Sequence, residues 1–224
     1  MDLGQVVADR FEIAERAGVG GMGVVYRALD RASNTTIALK ILRSADAARF
    51  VREGEVLAKL THPGIVKYVA AGRLSSGELY LAMEWLDGET LAQRFGRAGL
   101  TVEETVTLGL RLAEALAFAH ARGVIHRDIK PSNIFLPDRD LTAAKILDFG
   151  IARFRNVRSE ITRTGVMIGT PGYMSPEQAR GDRQIDPRAD VFSFGCVLYK
   201  CLTGQNAFRG TDPLAVMAKI LESS

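Results

Sequence analysis

The hydrophobic pattern changes period part-way along the chain, and this restricts the fold to one that joins a β-rich part to a helical part. Phe11-Glu12-Ile13-Ala14-Glu15 alternates apolar and polar residues, Val24 to Ala28 is β-branched and aromatic, and Thr35 to Leu42 is a third strand-like run after the turn-like Arg31-Ala32-Ser33-Asn34. Phe50, Glu53, Leu57 and Leu60 then recur at helical spacing until His62-Pro63-Gly64 stops them. Ile65 to Ala70 and Leu79 to Glu84 predict two more strands. Beyond Leu86 the pattern turns helical. Val102 to Ala121 and Val191 to Leu202 carry apolar residues on nearly every face, which predicts buried helices, and a last helix is expected around Pro213 to Glu222. The class is α+β. A β-rich N-terminal lobe of about residues 8–85 with one main helix meets a mostly helical C-terminal lobe of about 86–224, near Trp85-Leu86-Asp87-Gly88. A cleft between two lobes is a natural place for a ligand.

Composition excludes several classes. The chain has 224 residues, 47% hydrophobic and 25% charged, so it resembles neither a disordered nor a fibrous protein. A net charge of +3 is too weak to argue for nucleic acid or a membrane surface as partner. No apolar run approaches the ~18 residues of a transmembrane helix. The first ten residues include Asp2 and Asp9 and have no signal-peptide pattern. Two cysteines, Cys196 and Cys201, lie in an apolar stretch and are expected to be reduced core residues of a cytoplasmic protein.

Four short motifs carry chemistry. Gly18-Val19-Gly20-Gly21-Met22-Gly23 contains G-x-G-x-x-G, followed by the strand-like Val24-Val25-Tyr26. It therefore joins two strands, either as a loop whose backbone amides close over phosphates or as a ligand-free hairpin. Lys40, 17 residues past Gly23, is either a solvated strand residue or a phosphate-binding lysine. The second role needs a carboxylate to fix it, with Glu53 the candidate and Glu55 the competitor on another helix face. His126-Arg127-Asp128-Ile129-Lys130-Pro131-Ser132-Asn133 is the most specific string. In it Asp128 can accept a hydroxyl proton, Lys130 can neutralise a moving phosphoryl group and Asn133 can ligate a hard cation. Fifteen residues beyond Asn133, Asp148-Phe149-Gly150 follows the short strand Lys145-Ile146-Leu147 and is well placed to bind Mg²⁺. Singly each motif fits a turn, a cap or a surface pair. In this order and context they do not.

Taken together the motifs resemble the eukaryotic-like (Hanks-type) serine/threonine protein kinases common in bacteria, from about Phe11 to the C-terminal end. Gly20-Gly21-Met22-Gly23-Val24-Val25-Tyr26 resembles the glycine loop of that subgroup. The likeness also includes His62-Pro63-Gly64-Ile65-Val66, Met83-Glu84-Trp85, the run Gly169-Thr170-Pro171-Gly172-Tyr173-Met174-Ser175-Pro176-Glu177, Asp190 to Gly195, and Leu202-Thr203-Gly204. It implies a two-lobed protein-kinase-like fold that transfers phosphate from ATP, with Mg²⁺ or alternatively Mn²⁺, to Ser or Thr of a protein substrate. Asp128, Lys130, Lys40 and Glu53 are the implied catalytic residues. Asn133 and Asp148 are the implied metal ligands. The implied nucleotide site comprises Gly18, Val19, Gly20, Gly21, Met22, Gly23, Val25, Ala38, Lys40, the gatekeeper Met83, the backbone of Glu84 and Leu86, and Phe135. Leu57, Tyr68, His126 and Phe149 are implied to stack into a regulatory spine.

The segment from Asp148 to Glu177 is the expected switch. Arg153, Arg155, Arg158 and Arg163 stand against the single acid Glu160 before Thr164. Phosphate on Thr162 or Thr164 would be clamped by Arg127 and a neighbouring arginine, whereas a solvated basic loop is the alternative. Thr170 is implied to help admit the substrate hydroxyl, and a dimer is the possible arrangement for autophosphorylation. Ser175-Pro176-Glu177 replaces Ala-Pro-Glu. The family continues past the equivalent of Ser224, so the expectation is a C-lobe incomplete at its end. A non-catalytic kinase-like scaffold is the alternative function.

Overall fold

The computed structural model describes residues 1–20, 23–42, 50, 54, 56–149, 171–182 and 184–222. The chain divides into two compact units, Met1–His62 with Val66–Asp87 and Pro63–Ile65 with Gly88–Ser224.

The first unit is built on an antiparallel sheet of six strands: β1 (Val6–Val7), β2 (Phe11–Gly20), β3 (Gly23–Asp30), β4 (Thr35–Leu42), β5 (Tyr68–Arg73) and β6 (Leu79–Glu84), in the order β1-β2-β3-β4-β6-β5. The alternation seen in the sequence becomes a buried face. Phe11, Ile13, Tyr26, Ala28, Ile37, Leu39, Ile41 and Ala82 form one core, with Phe11 edge-on to Tyr80 at 5.7 Å between ring centres. The turn after β3 is tied by Asp30, which is fully buried. Its carboxylate accepts both arms of Arg10 (2.7 and 2.7 Å), the Ala32 amide (3.0 Å) and the Ser33 hydroxyl (2.8 Å). The Arg10 pair first, then Ser33 and Ala32, outweigh burial and hold Asp30 far below the usual carboxylate range.

One strand differs from its expected place. The run Ile65 to Ala70 yields β5 only from Tyr68, because Ile65 belongs to the second unit and bridges Ile146 there. In the helical stretch before it, Phe50, Leu57 and Leu60 are buried.

In the second unit β7 (Gly88–Thr90), β8 (Ile134–Pro137) and β9 (Lys145–Ile146) make a small sheet. Around it lie α1 (Leu91–Arg97), α2 (Val102–His120), α3 (Pro176–Arg180), α4 (Arg188–Thr203) and α5 (Pro213–Glu222). Reciprocal side-chain caps start three of them: Thr90 with Gln93, Thr101 with Glu104 and Ser175 with Gln178. The two long helices are not buried all round as their composition predicts. α2 turns Leu108, Leu112, Ala115, Leu116 and Ala119 inward but exposes Val102, Val106 and Leu110. α4 buries Cys196, Val197 and Cys201 and exposes Val191, Tyr199 and Leu202. Both cysteines are free, and burial pushes their thiols up to about 11 for Cys196 and about 12 for Cys201, which keeps them protonated. The irregular stretch after α2 contains β8, β9 and a 3₁₀ turn at Pro131–Asn133. Among the described residues no helix is long and apolar enough to cross a membrane.

Candidate active site

The first group of candidate residues lies on the six-stranded sheet, where strand register sets each position. Gly18 pairs with Val25, Val19 with Val24 and Gly20 with Gly23 across β2 and β3. Gly23 has φ +144°, and a side chain there would run into the carbonyl oxygen of Ile41, so β3 approaches β4 as only glycine permits. Gly21 and Met22 lie outside the described residues. On β4, Lys40 sits between Val25 of β3 and Leu81 of β6, and Ala38 sits between Arg27 and Met83. Lys40 is buried, and a buried ammonium needs a counter-charge. Glu53, which the resemblance assigns to it, lies outside the described residues. Met83 is buried at the end of β6. Next to it Glu84 brackets Lys67, its amide donating to the Lys67 carbonyl (2.9 Å) and its carboxylate accepting the Lys67 amide (2.8 Å). Trp85 follows, with the Arg27 guanidinium 5.4 Å above its ring, and then the half-buried Leu86.

The second group lies on the helical unit, where buried side chains hold irregular backbone. Lys130 Nζ donates to Asp128 Oδ2 at 2.7 Å. Asn133 Nδ2 donates to the same oxygen (3.1 Å) and to the Asp128 carbonyl (2.7 Å). Both side-chain bonds fall on Oδ2, and among the described residues Oδ1 carries no hydrogen bond. The Asp128 amide donates to His126 Nδ1 (3.1 Å), which fixes that nitrogen as an acceptor. The proton of His126 is then on Nε2, and it goes to the Leu147 carbonyl at 2.6 Å. Leu147 is held from its other side as well, because its amide donates to the Asn133 carbonyl at 2.8 Å. Asp148 therefore emerges from a residue pinned at both backbone groups, in a left-handed conformation with φ +57°. Phe149 is fully buried and meets His126 edge-on at 4.7 Å. Phe135, half-buried on β8, pairs with Thr90 and Lys145.

One organising residue has no role in the sequence reading. Asp190 of α4 is fully buried. Its Oδ2 accepts the His126 amide (2.8 Å) and His120 Nε2 (2.7 Å), and its Oδ1 accepts the Arg127 amide (2.7 Å). Burial pushes its carboxyl up, but His120 and these two amides prevail and hold it below the usual range. Arg127 needs the support, since its φ of +69° is costly for a side chain of that size. The available signal was an acid in the first turn of a mostly apolar helix.

The oxygen donors fit a hard cation. Asn133 turns its amide nitrogen toward the Asp128 carbonyl, which can only accept, so its Oδ1 faces away from that bond. An amide oxygen and the Asp148 carboxylate are what Mg²⁺ takes from a protein when phosphates and water supply the rest. Of the regulatory candidates, Arg127 is described, whereas Thr162, Thr164 and Thr170 lie outside the described residues.

Comparison with known proteins bears on both groups. Residues 11–223 match the protein kinase domain family. The serine/threonine-protein kinase PknB of Mycobacterium leprae is 41% identical over 221 residues, covering 94% of this chain and 35% of its own length. The protein of that name in Mycobacterium tuberculosis is 41% identical over 222 residues, with 94% and 35% covered. The serine/threonine-protein kinase pkn3 of Myxococcus xanthus is 36% identical over 231 residues, with 98% and 42% covered. The chain thus spans roughly a third of the length of the mycobacterial relatives. The match runs through the glycine strands, the Asp128 loop and the strand before Asp148 alike, and the chain belongs to the protein kinase family.

Proposed function

We propose that this chain transfers the γ-phosphate of ATP to serine or threonine hydroxyls of protein substrates. The observation that carries this reading is the Asp128 carboxylate: Lys130 and Asn133 hold Oδ2, while Oδ1 remains as an acceptor among the described residues. A carboxylate fixed in this way can orient a hydroxyl and take its proton as the oxygen attacks the γ-phosphorus and the bond to the ADP oxygen breaks. Lys130 adjoins that carboxylate and supplies positive charge to the phosphoryl group in flight. The family resemblance gives the triphosphate to Lys40 and to the glycine-rich run from Gly18 to Gly23, and gives Glu53 to Lys40 as its counter-charge. The family resemblance assigns Val25, Ala38, Met83, the backbone of Glu84 and Leu86, and Phe135 to the nucleotide. Asn133 and Asp148 would hold Mg²⁺ or Mn²⁺, which when bound neutralises phosphate charge.

In this reading residues 1–224 form one kinase domain, with lobes of about 8–85 and 86–224. Thr162 and Thr164 are its autophosphorylation sites, and Thr170 helps to admit the substrate. Arg127 clamps the added phosphate, and two copies meet for the transfer. Lys130 in the run Asp-x-Lys-Pro-x-Asn favours Ser and Thr over Tyr, as do the names of the relatives.

The test is transfer of labelled γ-phosphate to a protein acceptor in Mg²⁺, followed by phosphoamino-acid analysis. Phosphoserine and phosphothreonine are expected, and Asp128→Asn should lower turnover by about 10³-fold while nucleotide still binds. Label confined to tyrosine, or parent-level transfer by Asp128→Asn, would overturn the reading.

A further inference from the structure

Gln178 of α3 has two jobs, and only one of them belongs to its helix. Its Oε1 accepts the Ser175 amide at 3.0 Å, the return half of the cap that starts α3. Its Nε2 donates to the carbonyl oxygen of Arg127 at 2.8 Å, 51 residues away in sequence. The amide orientation is not ambiguous. A backbone N–H can only donate and a backbone carbonyl can only accept, so the two partners together fix which end is oxygen.

We propose that Gln178 is a positioning residue for Asp128, coupling the helix that follows residues 150–170 to the catalytic loop. Arg127 has φ +69°, outside the basin that its side chain prefers, and so depends on its surroundings to stay there. Asp190 holds its N–H from α4 at 2.7 Å, and Gln178 holds its C=O from α3. That C=O belongs to the peptide whose N–H is the amide of Asp128, bonded to His126 Nδ1 at 3.1 Å. The plane of this one peptide is thus set by Gln178 on its oxygen and His126 on its nitrogen. Rotation of that plane swings Asp128 relative to Lys130 and Asn133. The inference rests on the phosphotransfer reading of the Asp128 loop, and deepens it by naming a residue outside that loop which sets its geometry.

The decisive variant is Gln178→Glu. Glutamate keeps an oxygen for the Ser175 amide, so the cap survives, but an ionised carboxylate has no hydrogen for Arg127 and repels its carbonyl. Ser175→Ala is the comparison. It removes the hydroxyl that caps the Gln178 amide and leaves the Gln178–Arg127 bond in place. For Gln178→Glu we expect kcat to fall about tenfold, KM for ATP to stay within about twofold, and the melting temperature to match the parent. Hydrogen–deuterium exchange in peptides spanning 124–133 should quicken in Gln178→Glu and not in Ser175→Ala, which should melt lower with kcat near the parent. Parent-like kcat and exchange in Gln178→Glu would overturn the proposal, as would equal loss of kcat in both variants. The exchange readout needs no activity. If the parent chain transfers no phosphate, the phosphotransfer reading fails while faster exchange can still show the coupling.

Discussion

The β3–β4 ladder and the loop from His126 to Asn133 place candidate residues by opposite means. On the ladder, Lys40 stands opposite Val25 because every residue from Gly23 to Asp30 has a partner in β4. The position is shared over many backbone bonds and a continuous apolar face. In the loop, Arg127 and, past the loop, Asp148 lie in left-handed conformations. A few side chains hold that stretch of backbone: Asp190, Asn133, His126 and Gln178. Precision is distributed in the first region and concentrated in the second. A single polar substitution should therefore be absorbed by the sheet and be severe at the loop.

The largest effect expected is at Asp190. Asp190→Ala leaves the amides of His126 and Arg127 without their acceptor in a buried site, at a cost of about 3–5 kcal/mol. That is a large part of a domain's whole stability. Chemical denaturation and a phosphotransfer assay should show both stability and turnover falling sharply. Gly23→Ala probes the exception within the sheet. It forces a side chain into φ +144° and against the Ile41 carbonyl, costing about 2–3 kcal/mol and weakening nucleotide binding in titration calorimetry. Unchanged stability there would mean that β3 can draw back from β4.

Asp30→Asn is the smallest of the three, at about 2 kcal/mol, because Arg10 is 37% exposed and water screens part of the pair. Its signature is pH. The folded pKa of Asp30 is depressed, so its stabilisation is complete above the unfolded value of about 4 and is lost as pH falls through the folded value. Acid titration of stability should show a shallower loss below pH ~4 in Asp30→Asn than in the parent. Parallel curves would remove Asp30 from the account.

The two regions also differed in how far the sequence disclosed them. The strand-like runs Thr35 to Leu42 and Leu79 to Glu84 gave β4 and β6 to the residue, because strand preference is written directly into side-chain type. β5 began three residues later than its apolar run, since Ile65 serves the other unit, and one sequence cannot show which core an isoleucine joins. The exposed faces of α2 and α4 escaped notice for a related reason. Val106, Leu110 and Tyr199 look like core residues in composition, and only packing shows which way they point. At the site, Asp128, Lys130, Asn133 and Asp148 stood out as a spaced string of reactive types. Asp190 and Gln178 did not, because their work depends on contacts with residues more than fifty positions away.

The central claim is that a buried carboxylate, and not strand pairing, holds the loop from His126 to Asn133. Site-resolved hydrogen exchange of Asp190→Asn against the parent tests it most directly. Asp190 receives these two amides on different oxygens, and asparagine replaces one of those oxygens by an NH₂ that cannot accept, so the amides of His126 and Arg127 cannot both keep their present bonds. The account predicts that protection falls at one or both of these amides by about tenfold or more, while amides of β3, β4 and β6 keep theirs. Unchanged protection at His126 and Arg127, or a uniform loss across sheet and loop alike, would contradict it.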